Sequence, residues 1–201
     1  MSLNRYSLFF ALGLCLGGCA EKEFLYYVEA ADLVAFGERS DIRQQEAEAL
    51  LRGPSVKRGN GTVILMRKFD RGELFTIDDE TFEKLTIKIP EGEVGKTMRL
   101  PSPEVQVYYS QGASAFVSKG QGLYASAGTG EITITYKRKN RLGIKLNLQI
   151  TAKPPTQQAF QAYKEKLVQF AGEYELRKIS LDKLTPWLGG SSSSTESGVY
   201  P

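Results

Sequence analysis

The sequence predicts a mainly β fold, either an antiparallel β-sandwich or an up-and-down barrel-like sheet, with two flanking helices. Three observations support this prediction. Residues 132–150 alternate apolar and polar side chains with a period of two, as half-buried strands do. Shorter runs rich in β-branched and aromatic residues follow one another between residues 62 and 127, a composition that favours strands. Gly, Pro and Asp separate these runs, and these residues form tight turns.

The predicted strands before residue 132 are short and closely spaced. Many short strands at such spacing are typical of β-sandwiches and up-and-down barrels. The segments are residues 62–69, 72–77, 84–89, 96–100, 104–109, 114–119 and 122–127.

Residues 132–150 predict a β-hairpin that reverses at the basic run 137–141. Before the turn, Ile132, Ile134 and Tyr136 are expected on one face of the first strand. After the turn, alternate residues are again apolar and predict one buried face of the second strand. These residues are Ile144, Leu146, Leu148 and Ile150.

Two helices are predicted beside the sheet. Ser40 is a suitable N-cap for a helix over residues 41–53, and Gly53 with Pro54 forms a stop signal. Thr156 is a suitable N-cap for a second helix over residues 157–174. Its apolar residues recur at steps of three and four and predict packing against the sheet. They are Phe160, Tyr163, Leu167 and Phe170.

The N-terminal segment predicts export. Residues 6–16 are apolar but only about half as long as the roughly 20 residues that span a bilayer as a helix. Arg5 precedes this run, and the small residues Gly17 and Gly18 follow it, as in a secretory signal peptide. We therefore predict a signal peptide over residues 1–18, one globular domain over 19–188, and a flexible Gly/Ser-rich tail over 189–201.

The end of this segment carries a more specific motif. Leu16-Gly17-Gly18-Cys19 resembles the lipobox of bacterial lipoproteins, in which signal peptidase cuts before a cysteine that carries diacylglycerol. The resemblance implies that Cys19 is the lipidation site and the first residue of the mature chain. Cys15 does not fit the motif, because Leu14 precedes it. Ala20 follows Cys19, and the absence of the retention signal Asp there favours the outer over the inner membrane of a Gram-negative envelope.

Composition excludes several kinds of chemistry. The chain has no histidine, and Cys15 and Cys19 are its two cysteines. The commonest general base and transition-metal ligand is therefore missing, and with it the base of Ser-His and Cys-His pairs. If Cys15 leaves with the signal peptide and Cys19 carries lipid, no free cysteine remains for a zinc site either. A formal net charge of +3 is too low for a general nucleic-acid binder. We expect no cofactor, no metal and no nucleic-acid partner.

The basic residues of the predicted hairpin turn are candidates for contact with an anionic surface. They are Lys137, Arg138, Lys139 and Arg141. Each basic residue near an anionic membrane surface adds about 1 kcal/mol of attraction. The alternative is an ordinary solvated turn.

These patterns predict a lipid-anchored protein of the cell envelope. We expect a non-enzymatic binding or assembly module, held at the membrane by its lipid, with an envelope protein or polymer as partner. One alternative is a carboxylate-dependent hydrolase of envelope carbohydrate or lipid, which would use the acidic cluster Asp78, Asp79 and Glu80. The other is a carrier of a lipophilic ligand.

Overall fold

The computed structural model describes residues 22–34, 47, 50–51, 53–70, 81–92, 94–113, 122–155 and 164–184. Almost all of these residues belong to strands or to the turns between them. The strands are β1 (Lys22–Val34), β2 (Ser55–Asp70), β3 (Thr81–Pro90), β4 (Thr97–Leu100), β5 (Gln106–Ala113), β6 (Leu123–Ala125), β7 (Thr129–Arg138), β8 (Arg141–Ala152) and β9 (Lys166–Lys178), and a short helix, α1 (Leu181–Leu184), follows.

The nine strands form one sheet in the order β4-β7-β8-β9-β1-β2-β3-β5-β6. Neighbouring strands are antiparallel except β1 and β9, which pair in parallel with Tyr26 opposite Arg177. The mainly β prediction is confirmed, but the expectation of a purely antiparallel sheet is wrong. The antiparallel pairing of β9 with β8 sets the direction of β9. In this direction β9 runs parallel to β1.

The sheet curls so that distant strands face each other. The rings of Tyr109 on β5 and Phe170 on β9 meet edge to face at 6.0 Å between centroids, although β1, β2 and β3 separate these strands in the sheet. Main-chain hydrogen bonds of 2.9 Å in both directions join Tyr124 on β6 to Lys153 after β8. The inner face of the curl holds the main apolar core, whose fully buried members include Ile64, Ile87, Ile132, Ile144, Leu146 and Leu148.

The outer face differs between the two halves of the sheet. Over β1 and β2 it is apolar, and residues Ile179 and Leu181 pack against a second buried cluster there. Over β7, β8 and β9 it is polar, because exposed residues alternate with buried ones along β8. This alternation is the period-two pattern that predicted the hairpin.

The strand predictions are largely confirmed. The predicted segments 62–69 and 84–89 lie inside β2 and β3, and residues 132–150 form β7, β8 and their turn. The segments 96–100, 104–109 and 122–127 overlap β4, β5 and β6. The segments 72–77 and 114–119 lie outside the described residues, as do 1–18 and 189–201. Strand β1 was not predicted.

The second predicted helix is wrong for residues 166–174, which belong to β9. The apolar residues of this segment recur at steps of three and four, but the same segment also contains a period-two pattern. The residues of that second pattern face inward, and they are Val168, Phe170, Tyr174 and Leu176. Pairing along the whole of β8 satisfies the main chain and outweighs the local helical pattern. Of the first predicted helix, Ala47, Leu50 and Leu51 are helical, and Gly53 has a φ of 88°; the rest lies outside the described residues.

A register shift between Ile134 and Tyr136 corrects one further prediction. The extra residue, Thr135, turns Tyr136 to the outer face, where its hydroxyl donates a hydrogen bond to Glu175. Tyr136 therefore does not share a face with Ile132 and Ile134. A bulge of this kind re-aims the side chains that follow it.

Candidate functional site

The predicted lipidation site lies close to the first strand. Cys19 is outside the described residues, and β1 begins three residues later, at Lys22. Three residues of fully extended chain reach at most about 10 Å. A lipid on Cys19 would therefore hold this end of the sheet near the membrane surface.

The hairpin end formed by residues 137–141 is the predicted basic site. Lys139 and Asn140 form a two-residue turn between β7 and β8. The main-chain oxygen of Asn140 accepts a 3.0 Å hydrogen bond from the amide of Lys178 on β9. The turn is thus fixed to the neighbouring strand.

Lys137 does not point away from the protein as a simple solvated turn residue would. After the bulge at Thr135, its Nζ lies 2.7 Å from Glu29 Oε1 on β1. Lys178 donates a hydrogen bond to the other oxygen of the same carboxylate. Glu29 therefore joins β1, β7 and β9, and Lys137 is engaged within the fold.

Glu29→Gln is expected to lower the free energy of unfolding by about 1 to 2 kcal/mol near neutral pH. Hydrogen bonds from Lys137 and Lys178 hold the pKa of Glu29 below its ordinary value of 4.5. A lowered folded-state pKa stabilises the fold above the ordinary pKa, and this stabilisation is lost as the pH falls through the folded-state value. Urea denaturation of the wild type and of Glu29→Gln should show a difference in the free energy of unfolding at about pH 7, and this difference should shrink towards about pH 2.

The matched control is Glu131→Gln on the outer face. Glu131 Oε1 pairs at 3.0 Å with Arg99, whose side chain is 85% exposed. Such exposed pairs contribute less than about 1 kcal/mol. Equal losses of stability in the two variants would contradict the role given to Glu29.

Arg141 and Arg138 lie on the outer face of the hairpin end. Arg141 Nη1 forms a 2.6 Å ion pair with Glu175 Oε1. The Arg138 guanidinium lies 5.5 Å from the centroid of the Tyr136 ring. Within the part of the chain that the structure describes, neither Arg138 nor Lys139 forms an ion pair.

Three arginines form a row across the outer face, which we call the arginine row. Arg138, Arg141 and Arg177 occupy directly opposed positions on β7, β8 and β9, and all three are exposed. Adjacent strands lie about 4.8 Å apart, so the row spans about 10 Å. Like charges in directly opposed positions destabilise a sheet, and Glu175 is the carboxylate that pairs with this row in the described structure. The arginine row is therefore a candidate contact surface.

A second feature lies at the end of the sheet where β1 begins. A cleft of about 110 Å³, which we call the β9 cleft, separates β1, β2 and β3 from β9. Tyr109 lies behind it and donates a 2.7 Å hydrogen bond to Glu83 Oε1. Burial raises the pKa of the Tyr109 hydroxyl well above its ordinary value of 10.0, and the bond to Glu83 raises it further. The cleft is lined by Glu23, Met66, Lys68, Glu83, Leu85, Gln169, Phe170 and Tyr174.

A smaller cavity of about 20 Å³ lies on the outer face of β3 and β5, next to Gly53 and Pro54. Lys84 and Ser110 face each other across these strands and are only 6% and 2% exposed. The Ser110 hydroxyl has no hydrogen-bond partner within the described structure. The cavity has room for about one water molecule.

The acidic cluster Asp78, Asp79 and Glu80 lies outside the described residues. Among the residues that the structure does describe, no group of three or more side chains could hold a metal ion. In the same residues, no helix is long and apolar enough to cross a membrane. No family model, curated protein or solved structure matches this chain.

Sequence reasoning missed Arg177 and the residues of the β9 cleft. Arg177 lies beyond the segment that was predicted as a helix, and its alignment with Arg141 depends on the register of β9. Glu23, Lys68 and Glu83 are far apart in sequence and become neighbours only through strand pairing. The period-two pattern from Val168 to Leu176 was the available signal for β9.

Proposed function

We propose that this protein is a lipid-anchored module of the bacterial cell envelope that binds or assembles other envelope components without catalysis. The observation that carries this proposal is the motif Leu16-Gly17-Gly18-Cys19, placed three residues before β1. Two or more acyl chains on one residue anchor a protein stably. The short connection limits the distance between the lipid and the first residue of β1. Ala20 favours the outer membrane in an envelope that has two.

The arginine row is the proposed contact with anionic lipid headgroups. Arg177 pairs in register with Tyr26, which is seven residues beyond Cys19. Seven extended residues reach at most about 25 Å, so the row lies within reach of the membrane when the sheet lies along it. Each exposed basic residue adds about 1 kcal/mol of attraction to an anionic leaflet.

The scaffold supports binding better than catalysis. The chain has no histidine, and the two cavities described above measure about 110 and about 20 Å³. Pockets for drug-sized ligands measure about 300 to 1,000 Å³, so these cavities do not favour a carrier of a large lipophilic ligand. We further propose that the curled sheet serves as a sandwich-like scaffold whose polar outer face carries the contact surface.

A photo-crosslinking amino acid at Lys139 tests the proposed contact. The lipidated full chain would be placed in nanodiscs of phosphatidylglycerol or of phosphatidylcholine, and lipid adducts would be counted by mass spectrometry. Adducts at this position are expected to be several-fold more abundant with the anionic lipid. Arg138→Glu with Arg177→Glu should remove the difference, because the two changes delete about 2 kcal/mol of attraction.

The control variant carries Arg99→Glu and Lys145→Glu. These changes alter the net charge by the same amount as the first double variant and lie on the same polar face, but outside the arginine row. The preference for the anionic lipid should therefore persist in the control variant. Equal adduct yields in the two lipids, or the same loss in both double variants, would show that the arginine row does not face anionic lipid.

A further inference from the structure

The β9 cleft carries an inference that is independent of the lipid anchor. Its charged wall is a row across three strands, in which Glu23 pairs in register with Lys68 and Lys68 with Glu83. Two carboxylates and one ammonium group leave this wall with a net negative charge. Met66 and Leu85 form the apolar part of the same wall.

The opposite wall comes from β9 and is partly aromatic. Phe170 and Tyr174 line the cleft beside Gln169. The pKa of the Tyr174 hydroxyl is raised by burial and then by Glu23, while Lys68 acts in the opposite direction and Glu83 raises it further. The charged groups of the first wall therefore affect the Tyr174 hydroxyl on the second wall.

Glu83 is held in a defined orientation. Tyr109 donates a hydrogen bond to Glu83 Oε1, and the Tyr109 ring is itself fixed against Phe170. The oxygen of Tyr109 also lies 3.1 Å from Gln111 Oε1. This arrangement leaves Glu83 Oε2 to accept a hydrogen bond from a ligand in the cleft.

We propose that the β9 cleft binds the primary ammonium group of a small organic amine. Carboxylates form strong charge-assisted hydrogen bonds with ammonium donors, and aromatic faces attract cations at short range. A volume of about 110 Å³ limits the bound part to a short aminoalkyl group, because pockets for drug-sized ligands are several times larger. The amine reaches the cleft either as a free metabolite or as the headgroup of an aminophospholipid.

Ethanolamine is the probe for the first test. Titration of the purified full chain, followed by NMR chemical shifts, should show saturable binding that Glu83→Gln weakens by about tenfold, or about 1.4 kcal/mol. Glutamine keeps an oxygen that accepts the Tyr109 hydrogen bond, so this variant should fold. Lys68→Gln should bind ethanolamine about threefold more tightly, because it removes a like charge next to the ammonium group.

Glu131→Gln is the matched control, since it removes one carboxylate on the outer face and should leave ethanolamine binding unchanged. The absence of saturable binding would overturn the proposal. It would also be overturned if Glu83→Gln matched the control or if Lys68→Gln weakened binding.

A second measurement distinguishes the two sources of the amine. Glu23 lies four residues after Cys19, within about 14 Å of extended chain, so a lipidated protein presents the cleft to nearby headgroups. If phosphatidylethanolamine nanodiscs compete with ethanolamine and phosphatidylglycerol nanodiscs do not, the ligand is the lipid headgroup. If neither competes, the site takes a free amine. Binding of ethanolamine to a chain with Cys19→Ala keeps the cleft proposal separate from the fate of the anchor.

Discussion

Cys19→Ala is expected to abolish incorporation of radioactive palmitate and to leave an uncleaved precursor. The expectation follows from the resemblance to a lipobox, because cleavage there depends on a cysteine that already carries diacylglycerol. The effect should be all-or-none, since no other cysteine in the chain fits the motif. Labelling of cells that express each variant, followed by gel electrophoresis, gives both readouts at once.

Cys15→Ala is the matched control for this experiment. Cys15 lies four residues earlier and follows Leu14, so this variant should be labelled and cleaved like the wild type. Normal labelling of both variants would refute lipidation at Cys19. It would also remove the main support for an envelope location.

Gly130→Ala is expected to lower the free energy of unfolding by more than about 3 kcal/mol, or to prevent folding. Gly130 has a φ of 124°, and a Cβ atom there would lie 1.9 Å from the main-chain oxygen of Asn147 on β8. Strained backbone costs about 1 to 3 kcal/mol, and overpacking adds about 1 to 3 kcal/mol more. The clash cannot be relieved by a side-chain rotation, because the obstructing atom belongs to a paired strand.

Gly95→Ala separates backbone strain from the clash. Gly95 has a φ of 86°, but no atom lies within 4 Å of the position that a Cβ atom would take there, so this variant should lose only about 1 kcal/mol. Urea denaturation midpoints of the two variants and the wild type provide the comparison. Equal losses at both positions would show that the close approach of β7 and β8 at Gly130 is not needed for stability.

The β7–β8 hairpin shows how far local pattern predicts this fold. Its alternating Ile and Leu residues can bury one face only as strands, and the basic run between them has no apolar side chain to bury. Both inferences need no knowledge of the rest of the chain. The bulge at Thr135 is different, because it places Lys137 against Glu29 on β1, a partner more than a hundred residues earlier in the sequence.

Strand β9 shows why local pattern is not sufficient. Leu167 and Phe170 fit a helical stripe when their spacing is considered alone, whereas Val168, Phe170, Tyr174 and Leu176 fit a strand. The choice depends on β8, whose main chain offers β9 a continuous line of hydrogen bonds. Leu167 is consequently 58% exposed on the outer face instead of packing against the sheet.

The candidate sites also differ in whether the sequence alone can reveal them. The proposed anchor is a short linear motif and can be recognised in the sequence, because the enzymes that process it act on consecutive residues. The arginine row and the β9 cleft exist only in the folded chain, because strand register brings Arg177 beside Arg141 and Glu83 beside Lys68. Local residue pattern therefore determined the β-rich class and the proposed address, whereas long-range strand pairing decided which charges lie together and what they can bind.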